Sequence, residues 1–379
     1  MPRAQPVPGD CRTRTCENVA RTAVAQMVAV AVCDYRSLHG LRGVNVKIAR
    51  WAVEAAAGFG DEGFGLKIHE QCANAVLMIR PAAFDYNPET AATNKMQQQP
   101  RNDAGESSNE RAKAEFAQLV RALESEGVAV FVIDDTAQPP KPDAVFPNNW
   151  VSFHGDGTVV LYPMQAESRR RERRREIIDS VAAQSGFQVS RVVDLTHHEA
   201  HGRFLEGTGS LVLDHVNRVA YASLSPRTHP DVLREWSHEL QYEPVTFDAF
   251  DRKGVPLYHT NVLMCIGERF AVVGTGAMPD KHRELVLSRL RSTSREIIEL
   301  GHDEIERFAG NMLELASWDE ALGDCRAVVM SASARAALAP PIFARLSACT
   351  DSIVAVPIPT IERLGGGSVR CMIAEVFLP

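Results

Sequence analysis

The sequence LGGGSVRCMIAEVFLP, residues 364–379, places three consecutive glycines before a cysteine and then ends in an apolar run. Glycines weaken regular structure unless the backbone must turn sharply or approach another group closely. A structural cysteine does not need such a loop, whereas a cysteine that attacks a substrate does. We therefore predict that Cys371 is a nucleophile, and that the run after it is a strand that anchors the loop.

Upstream of this stretch, strand-like and helix-like patterns alternate. Buried strands are predicted at 75–81, 128–134, 158–164, 210–224, 262–274, 325–331 and 352–359. Helices are predicted at 106–126, 167–184, 229–239, 279–298, 317–322 and 334–339. Short strands alternating with helices indicate an α/β fold.

Composition limits the function classes. The chain has 379 residues and a net charge of −7, which argues against a nucleic-acid partner. It has no apolar run long enough for a membrane span, and its 8 cysteines include no CxxC pair. We expect a cytoplasmic protein with one catalytic domain over residues 71–379, preceded by an atypical, poorly ordered extension over residues 1–70.

A thiol attacks as the thiolate, so Cys371 needs a base and a group that orients that base. The candidates are His259 in VPLYHTNVLM and Glu206 in RFLEGTGSLVLD, each just before a predicted strand. Taken singly, His259 also suits a core or turn histidine, and Glu206 suits a loop carboxylate. Together, the three residues could converge if the strand ends face one centre.

Two further segments carry candidate binding residues. The segment DAVFPNNWVSFHGDG contains Asp143, Asn148 and Asn149, and its paired asparagines suit a turn or amides that face a pocket. Local sequence alone favours the turn. In SLSPRTHP, Arg227 suits a bidentate carboxylate clamp or a surface position at a helix start.

Two segments resemble functional motifs, one a basic nucleic-acid-binding run and the other a metal site. The run SRRRERRRE, residues 168–176, lacks interleaved aromatic residues and indicates a solvated helix face with one arginine turned inward. The segment THHEAHG, residues 196–202, is one residue short of HExxH, and its glycine makes a long helix through His197 and His201 doubtful. We predict no metal site.

As a set, these motifs resemble the guanidine-modifying, or amidinotransferase-like, superfamily over residues 72–379. VLMIRPAAFDYNPETAATN, FPNNWVSFH, LEGTGSLVLD and YHTNV are most similar to the citrulline-utilisation hydrolases within it. The resemblance implies a pentein fan, an α/β propeller of five ββαβ-type modules around a pseudo-fivefold axis, with the site at the centre.

The resemblance also implies roles for individual residues. Cys371 would be the nucleophile, His259 the general acid and base, and Glu206 the carboxylate that orients it. Arg227 would bind the substrate α-carboxylate. Asp143, Asn148 and Asn149 fall in the segment where relatives contact the substrate, and Arg169 or Arg170, of which we select Arg170, would be a second substrate arginine. No cofactor or metal is implied.

Two positions depart from the deiminase pattern, because Asn149 and Asn261 stand where deiminases carry aspartates. An amide can donate to and accept from a neutral ureido group, whereas a guanidinium calls for carboxylates. We therefore predict a hydrolase that converts citrulline to ornithine, ammonia and carbon dioxide through a Cys371 thiocarbamate.

Four alternatives remain open. They are an arginine deiminase or dimethylarginine dimethylaminohydrolase acting on a guanidino substrate, an amidinotransferase, a catalytically silent sensor, and a zinc hydrolase built on residues 197–201. The expected partner is a small ureido or guanidino amino acid, and a homo-oligomer is left open.

Overall fold

The apolar run AVLMIR forms the first strand of the fold, β1 (Ala75–Arg80), in which every side chain except Arg80 is buried. The computed structural model describes residues 71–100, 107–186, 188–319 and 322–377. These residues belong to one unit, His69–Pro379. The extension predicted over residues 1–70 lies outside the described residues.

Short strands make up the sheets. They are β1, β2 (Ala129–Asp134), β3 (Val151–Phe153), β4 (Thr158–Leu161), β5 (Arg191–Asp194), β6 (Val212–Asp214), β7 (Val219–Ser223), β8 (Glu243–Phe247), β9 (Met264–Ile266), β10 (Phe270–Val273), β11 (Glu296–Glu299), β12 (Leu313–Asp319), β13 (Gly323–Ser331), β14 (Ser352–Val356) and β15 (Ala374–Val376).

These strands form five sheets of three strands each, in the orders β15-β1-β2, β3-β4-β5, β6-β7-β8, β9-β10-β11 and β12-β13-β14. In each sheet the central strand pairs antiparallel with the first strand and parallel with the third. A parallel pair requires a crossover connection, and helices fill the crossovers. The predicted mixed α/β class is confirmed, as five repeated modules.

The helices are α1 (Pro88–Ala91), α2 (Ser108–Ser125), α3 (Glu167–Arg170), α4 (Arg175–Ser185), α5 (Gly207–Ser210), α6 (Pro230–Leu240), α7 (Asp280–Arg291), α8 (His302–Ile305), α9 (Ala332–Ala337), α10 (Pro340–Ser347) and α11 (Pro359–Gly365). Within the described ranges, none is long and apolar enough to cross a membrane.

Helix α2 illustrates how the crossovers form. Its N-terminus is capped by Ser107, whose hydroxyl accepts a hydrogen bond from the backbone N–H of Glu110 at 3.2 Å. Phe116, Leu119 and Leu123 recur at helical spacing and are buried. They join a core cluster that contains residues of β1. Burying each such side chain contributes about 1.5–3 kcal/mol.

Several predicted elements differ from the structure. The helix predicted over 167–184 is split into α3 and α4, the strand predicted over 262–274 is the hairpin β9–β10, and the helix predicted over 279–298 ends before β11. The strand predicted over 210–224 is the hairpin β6–β7, because Asp214 accepts a hydrogen bond from the backbone N–H of Asn217 and starts a turn. The helix predicted over 317–322 is wrong. Residues Leu313–Asp319 continue as strand β12 and turn back into β13 at Gly323, whose positive φ of 78° suits a tight turn.

The last strand closes the first sheet. Strand β15 pairs antiparallel with β1, with Ala75 opposite Val376 and Leu77 opposite Ala374. The apolar run that follows Cys371 is therefore a strand, as predicted, and it fixes the loop that carries the cysteine.

Candidate active site

A short helical turn precedes the first strand of four sheets, and the predicted reactive residues lie within these turns or directly before them. They are Pro147–Asn149 before β3, Gly207–Ser210 before β6, Thr260–Val262 before β9 and Val369–Met372 before β15. Because the five modules repeat, residues that are distant in sequence occupy similar places in their modules. This repetition brings the turns together at one pocket.

The pocket contains about 270 Å³ of empty space. Its lining consists of Thr90, Asn94, Asp143, Phe146, Asn149, Arg169, Arg227, Tyr258, His259, Gly365, Gly366, Gly367 and Cys371. Glu206 stands behind this lining, in contact with His259 and Arg227.

The glycine triplet fits closely between the helix α11 and the pocket wall. Gly366 is the C-cap of α11 in the left-handed region, with a φ of 62°. A Cβ atom on Gly365 would lie 2.7 Å from the ring of Phe146, and one on Gly367 would lie 3.0 Å from the same ring. The triplet lets the chain pass Phe146 and place Cys371 at the pocket.

The Cys371 sulfur lies among amide groups. The Nδ2 atoms of Asn261 and Asn311 are 3.5 Å and 3.3 Å from Sγ. Burial raises the pKa of the Cys371 thiol above its ordinary range, although hydrogen bonds from its surroundings act in the opposite direction. The resting cysteine is therefore a neutral thiol.

His259 and Glu206 form a buried pair. Nε2 of His259 lies 2.8 Å from Oε2 of Glu206, and Oε1 of Glu206 accepts a hydrogen bond from the backbone N–H of Gln165 at 3.1 Å. Burial lowers the pKa of His259 to about 4, against the opposing effect of Glu206. Burial alone would raise the pKa of Glu206, but Arg227 and His259 hold it far below its ordinary range.

Arg227 lies in the pocket wall and is anchored on three sides. Its Nη1 lies 3.3 Å from Oε2 of Glu206, and its Nη2 donates to the backbone carbonyl of Thr90 at 2.8 Å. Its Nε donates to Oγ1 of Thr93 at 3.0 Å. The carboxylate-binding role implied by the resemblance stays a prediction.

Of the two candidate arginines in the basic run, Arg169 lines the pocket and the selected Arg170 does not. Arg169 is buried and pairs with Glu172, with 2.9 Å between Nη2 and Oε2. Arg170 is partly exposed, and its Nε donates to the backbone carbonyl of Met164 at 3.0 Å. The selection of Arg170 is corrected to Arg169 as the pocket residue.

Asp143 brings a carboxylate to the pocket. Its Oδ2 accepts hydrogen bonds from Nδ2 of Asn87 at 2.8 Å and from Oγ1 of Thr90 at 3.1 Å. Its Oδ1 is buried and has no partner among the described residues. Burial raises the pKa of Asp143, while Arg169 and Asn87 oppose that rise.

The two adjacent asparagines differ in placement. Asn149 lines the pocket, and its Oδ1 accepts a hydrogen bond from Nη1 of Arg169 at 2.7 Å. Asn148 is buried and does not line the pocket with Cys371, and its amide atoms have no partner among the described residues. A substrate contact for Asn148 stays a prediction without support from this geometry.

Asn311 is the site residue that the sequence reasoning missed. The sequence GNMLE around it has no distinctive chemistry, but it precedes β12 as RCMIA around Cys371 precedes β15. Aligning the modules on their first strands would have placed Asn311 beside the cysteine. Asn94 and Tyr258 were also missed, and they line the pocket.

The histidine cluster is separate from this pocket lining. His197 and His198 approach Glu235, and the potential ligand atoms of the three residues lie within 4.8 Å of one another. His198 carries the short contact, with 2.7 Å between its Nε2 and Oε2 of Glu235. His201 is exposed. The long helix through His197 and His201 that the sequence made doubtful does not form, since residues Thr196–His201 are a short 3₁₀ helix that ends at Gly202.

Comparison with known proteins identifies the family. The family model described as eukaryotic N,N dimethylarginine dimethylhydrolase matches residues 80–378. A comparison with curated protein sequences finds no match. The resemblance to the guanidine-modifying superfamily and the assignment as a hydrolase acting on C–N bonds are both confirmed.

Solved structures share the fold. The N-terminal domain of ArgZ, covalently bound to a reaction intermediate, has a TM-score of 0.59 at 19% identity and covers 80% of this chain and 99% of its own. Full-length ArgZ, an arginine dihydrolase from the ornithine–ammonia cycle in cyanobacteria, has a TM-score of 0.61 at 19% identity over 80% of this chain. The present chain spans 41% of that longer protein. A dimethylarginine dimethylaminohydrolase adduct with S-methyl-L-thiocitrulline has a TM-score of 0.54 at 18% identity, over 80% of this chain and 99% of its own.

The prediction of citrulline as the substrate is wrong. The matching family is named for a dimethylated arginine, which carries a guanidino group rather than a ureido group. The argument from two asparagines failed for a physical reason. Asn149 directs its amide oxygen to Arg169, and Asn261 directs its amide to the Cys371 sulfur. Because these amides also serve protein groups, they do not by themselves indicate the charge of the substrate. Nδ2 of Asn149 has no partner among the described residues, so a substrate contact for Asn149 stays a prediction.

The family model extends from the last residue of β1 to the residues after β15, so it includes every pocket turn and every strand except most of β1. The chain belongs to the eukaryotic N,N-dimethylarginine dimethylhydrolase family of the guanidine-modifying superfamily.

Proposed function

We propose that the protein is a cysteine-dependent hydrolase that cleaves the guanidino group of arginine or an N-methylated arginine. One observation carries the proposal. A buried thiol, a histidine paired with a carboxylate, and a carboxylate with an unpartnered oxygen meet at a single pocket, as Cys371, His259 and Asp143. The family description supports a guanidino substrate.

The charges of the pocket suit a cationic guanidino amino acid. Two carboxylates, Asp143 and Glu206, stand against two arginines, Arg169 and Arg227. The unpartnered Oδ1 of Asp143 can accept an N–H from a cationic group of the substrate, which would favour the ionised form of this carboxyl. The arginines can receive the substrate carboxylate.

In the first step, Cys371 gives its proton to His259 and its sulfur attacks the guanidino carbon. The tetrahedral adduct collapses, and its C–N bond breaks. The departing ammonia or methylamine takes the proton from His259. An amidino group then remains bonded to the Cys371 sulfur.

In the second step, His259 removes a proton from water and the oxygen adds to the amidino carbon. The C–S bond breaks, the thiolate recovers its proton from His259, and the hydroxyl proton of the adduct passes to the released ammonia or amine as the ureido product leaves. Arginine plus water gives citrulline plus ammonium in balance. Glu206 orients His259 and stabilises its cationic form throughout.

The proposal includes the arrangement of the five modules as a fan around a pseudo-fivefold axis. In support, the first strands of successive sheets contact one another, β15 with β3, β6 with β9, and β9 with β12. We also place the protein in the cytoplasm, because a reactive thiol suits a reducing compartment. The five cysteines of the described residues are free.

The test is a substrate panel. The purified protein is incubated with L-arginine, monomethylarginine and asymmetric dimethylarginine, and citrulline and the released amine are quantified by chromatography. We expect citrulline from at least one of the three, with an equal amount of ammonia, methylamine or dimethylamine. Absence of citrulline from all three would overturn the proposal.

A further inference from the structure

Asn311 is fully buried beside the nucleophile, with every polar atom of its amide occupied. Its Oδ1 accepts a hydrogen bond from the backbone N–H of Arg370 at 3.1 Å. Its Nδ2 donates to the backbone carbonyl of Asn261 at 2.9 Å and lies 3.3 Å from the Cys371 sulfur. One hydrogen of Nδ2 thus goes to the carbonyl, and the other is directed at the sulfur.

These partners fix the orientation of the amide. Rotating the amide by 180° would set Nδ2 against the N–H of Arg370 and Oδ1 against the carbonyl of Asn261. Both hydrogen bonds would be lost in a buried site, where an unpaired polar group is costly. The nitrogen of Asn311 therefore faces the sulfur in every resting molecule.

Asn261 is fixed less tightly. Within the described part of the chain, its amide contacts the Cys371 sulfur from both ends, with Nδ2 at 3.5 Å and Oδ1 at 3.8 Å. Neither contact decides which end faces the sulfur. Oδ1 of Asn311 also lies 3.7 Å from the sulfur, but this oxygen accepts the N–H of Arg370, which keeps Nδ2 as the donor. Asn261 can accept from the thiol or donate to the thiolate, whereas Asn311 has a donor committed to the sulfur.

We propose that Asn311 is a fixed hydrogen-bond donor to the Cys371 sulfur, which orients the thiol and stabilises the thiolate when it forms. This inference rests on the proposed function in one respect, that Cys371 is the nucleophile. A donor to an anionic sulfur is stronger than a donor to a neutral thiol, so its effect grows as the proton leaves. The backbone of Arg370, the neighbour of Cys371, holds the other end of the amide.

The test measures the reactivity of Cys371 without a substrate. The wild-type protein and the Asn311→Ala variant are alkylated with iodoacetamide from pH 6 to pH 11, and the Cys371 peptide is quantified by mass spectrometry. We expect the midpoint of the Cys371 profile to rise by about one to two pH units in the variant. Below both midpoints, this is a fall of about 10-fold to 100-fold in rate. Cys349, which is half-buried and does not line the pocket, serves as the internal reference.

Asn311→Asp is the second variant, because it keeps the volume of the side chain and an oxygen for the N–H of Arg370. It replaces the donor with an oxygen, so we expect its Cys371 midpoint to rise at least as much. Unchanged Cys371 profiles in a folded variant, judged by circular dichroism, would overturn the inference. If the substrate panel fails while both variants shift the profile, the proposed function falls and the role of Asn311 stands.

Discussion

Oε2 of Glu206 lies 2.8 Å from Nε2 of His259 and 3.3 Å from Nη1 of Arg227, so one carboxylate oxygen contacts both the imidazole and the guanidinium. This arrangement commits Nε2 of His259 to Glu206. The other ring nitrogen, Nδ1, is then the one we assign to proton transfer. The pair explains how a buried histidine whose pKa is lowered to about 4 can still take up a proton during the reaction.

The pH dependence follows from these shifts. His259 is neutral above a pH of about 4, and the pKa of the Cys371 thiol is raised above its ordinary range. In the proposed first step the thiol passes its proton to His259, so the reactive form holds a neutral thiol and a neutral imidazole. That form predominates from a pH of about 5.5 to about 8.5, so we expect kcat/KM to change by less than about twofold there and to fall as the pH approaches 4 and His259 is protonated. The measurement is a pH profile of kcat/KM on the best substrate of the panel. A kcat/KM profile with a midpoint near pH 6.5 would instead indicate that the pKa of the histidine is not lowered.

Removing the nucleophile tests the assignment directly. Cys371→Ala should abolish turnover, since no other described cysteine lines the pocket. Cys265→Ala is the matched control, because Cys265 is equally buried and lies outside this pocket. It should retain at least half of wild-type kcat. The measurement is the steady-state kcat of both variants. Turnover by Cys371→Ala would refute the mechanism.

Gly209 gives a steric test of the position of His259. A Cβ atom at residue 209 would lie 2.7 Å from Nδ1 and Cε1 of His259 and 2.4 Å from Nδ2 of Asn149. Gly209→Ala should displace the imidazole and lower kcat by about 100-fold, the scale expected for a misplacement of about 1 Å. Gly155→Ala is the control, because Gly155 lies outside the pocket, has no positive φ, and would bring its Cβ no closer than 3.4 Å to the backbone oxygen of Phe377. Equal kcat in the wild type and Gly209→Ala would mean that His259 is not held here.

Asp143 should act mainly on substrate binding. Its Oδ1 has no partner among the described residues, so it can receive a cationic N–H, and Asp143→Asn removes the charge while keeping the shape. We expect KM to rise by at least tenfold, the scale of one hydrogen bond to a charged group, with a smaller change in kcat. The exposed carboxylate of Asp85, outside the pocket, provides the control Asp85→Asn. A larger loss in kcat than in KM would assign Asp143 to the chemical step instead.

Arg169 and Arg170 are adjacent residues of the same type, so their alanine variants compare a buried ion pair with a partly exposed one. Arg169→Ala leaves Glu172 buried without its partner and should lower the free energy of unfolding by about 3–5 kcal/mol. Arg170→Ala removes a partly exposed ion pair and should cost at most about 1 kcal/mol. Urea denaturation measures both. Adding Glu172→Gln to Arg169→Ala should recover part of the loss, because it removes the unpaired charge.

Sequence reasoning succeeded where chemistry and local pattern agreed. Local sequence was enough to predict the strand AVLMIR and the close fit of the glycine triplet. It was also enough to select Cys371, His259 and Glu206 as candidates. Their meeting at one pocket follows from the repetition of one module, whose first strand is led in by a short turn. The fivefold repetition was available only from the family resemblance, because the strands that define it are as short as three residues.

The errors have equally specific causes. A run of arginines has no apolar periodicity, so it cannot indicate which side chain of the four-residue helix α3 turns inward. The choice of citrulline rested on the amides of Asn149 and Asn261, which also contact Arg169 and Cys371, while a substrate contact for either residue stays a prediction. Polar residues that serve other protein groups cannot be distinguished by type from those that serve a ligand.

The pairing of β15 with β1 joins segments about 300 residues apart in the chain. A contact of such large sequence separation is slow to form during folding. The thiol belongs to the turn that β15 anchors, so it reaches its working position only once β15 has paired with β1. In a partly folded chain, Cys371 would therefore not be aligned with His259. The reactivity of the Cys371 thiol would then indicate that this last strand pairing has formed.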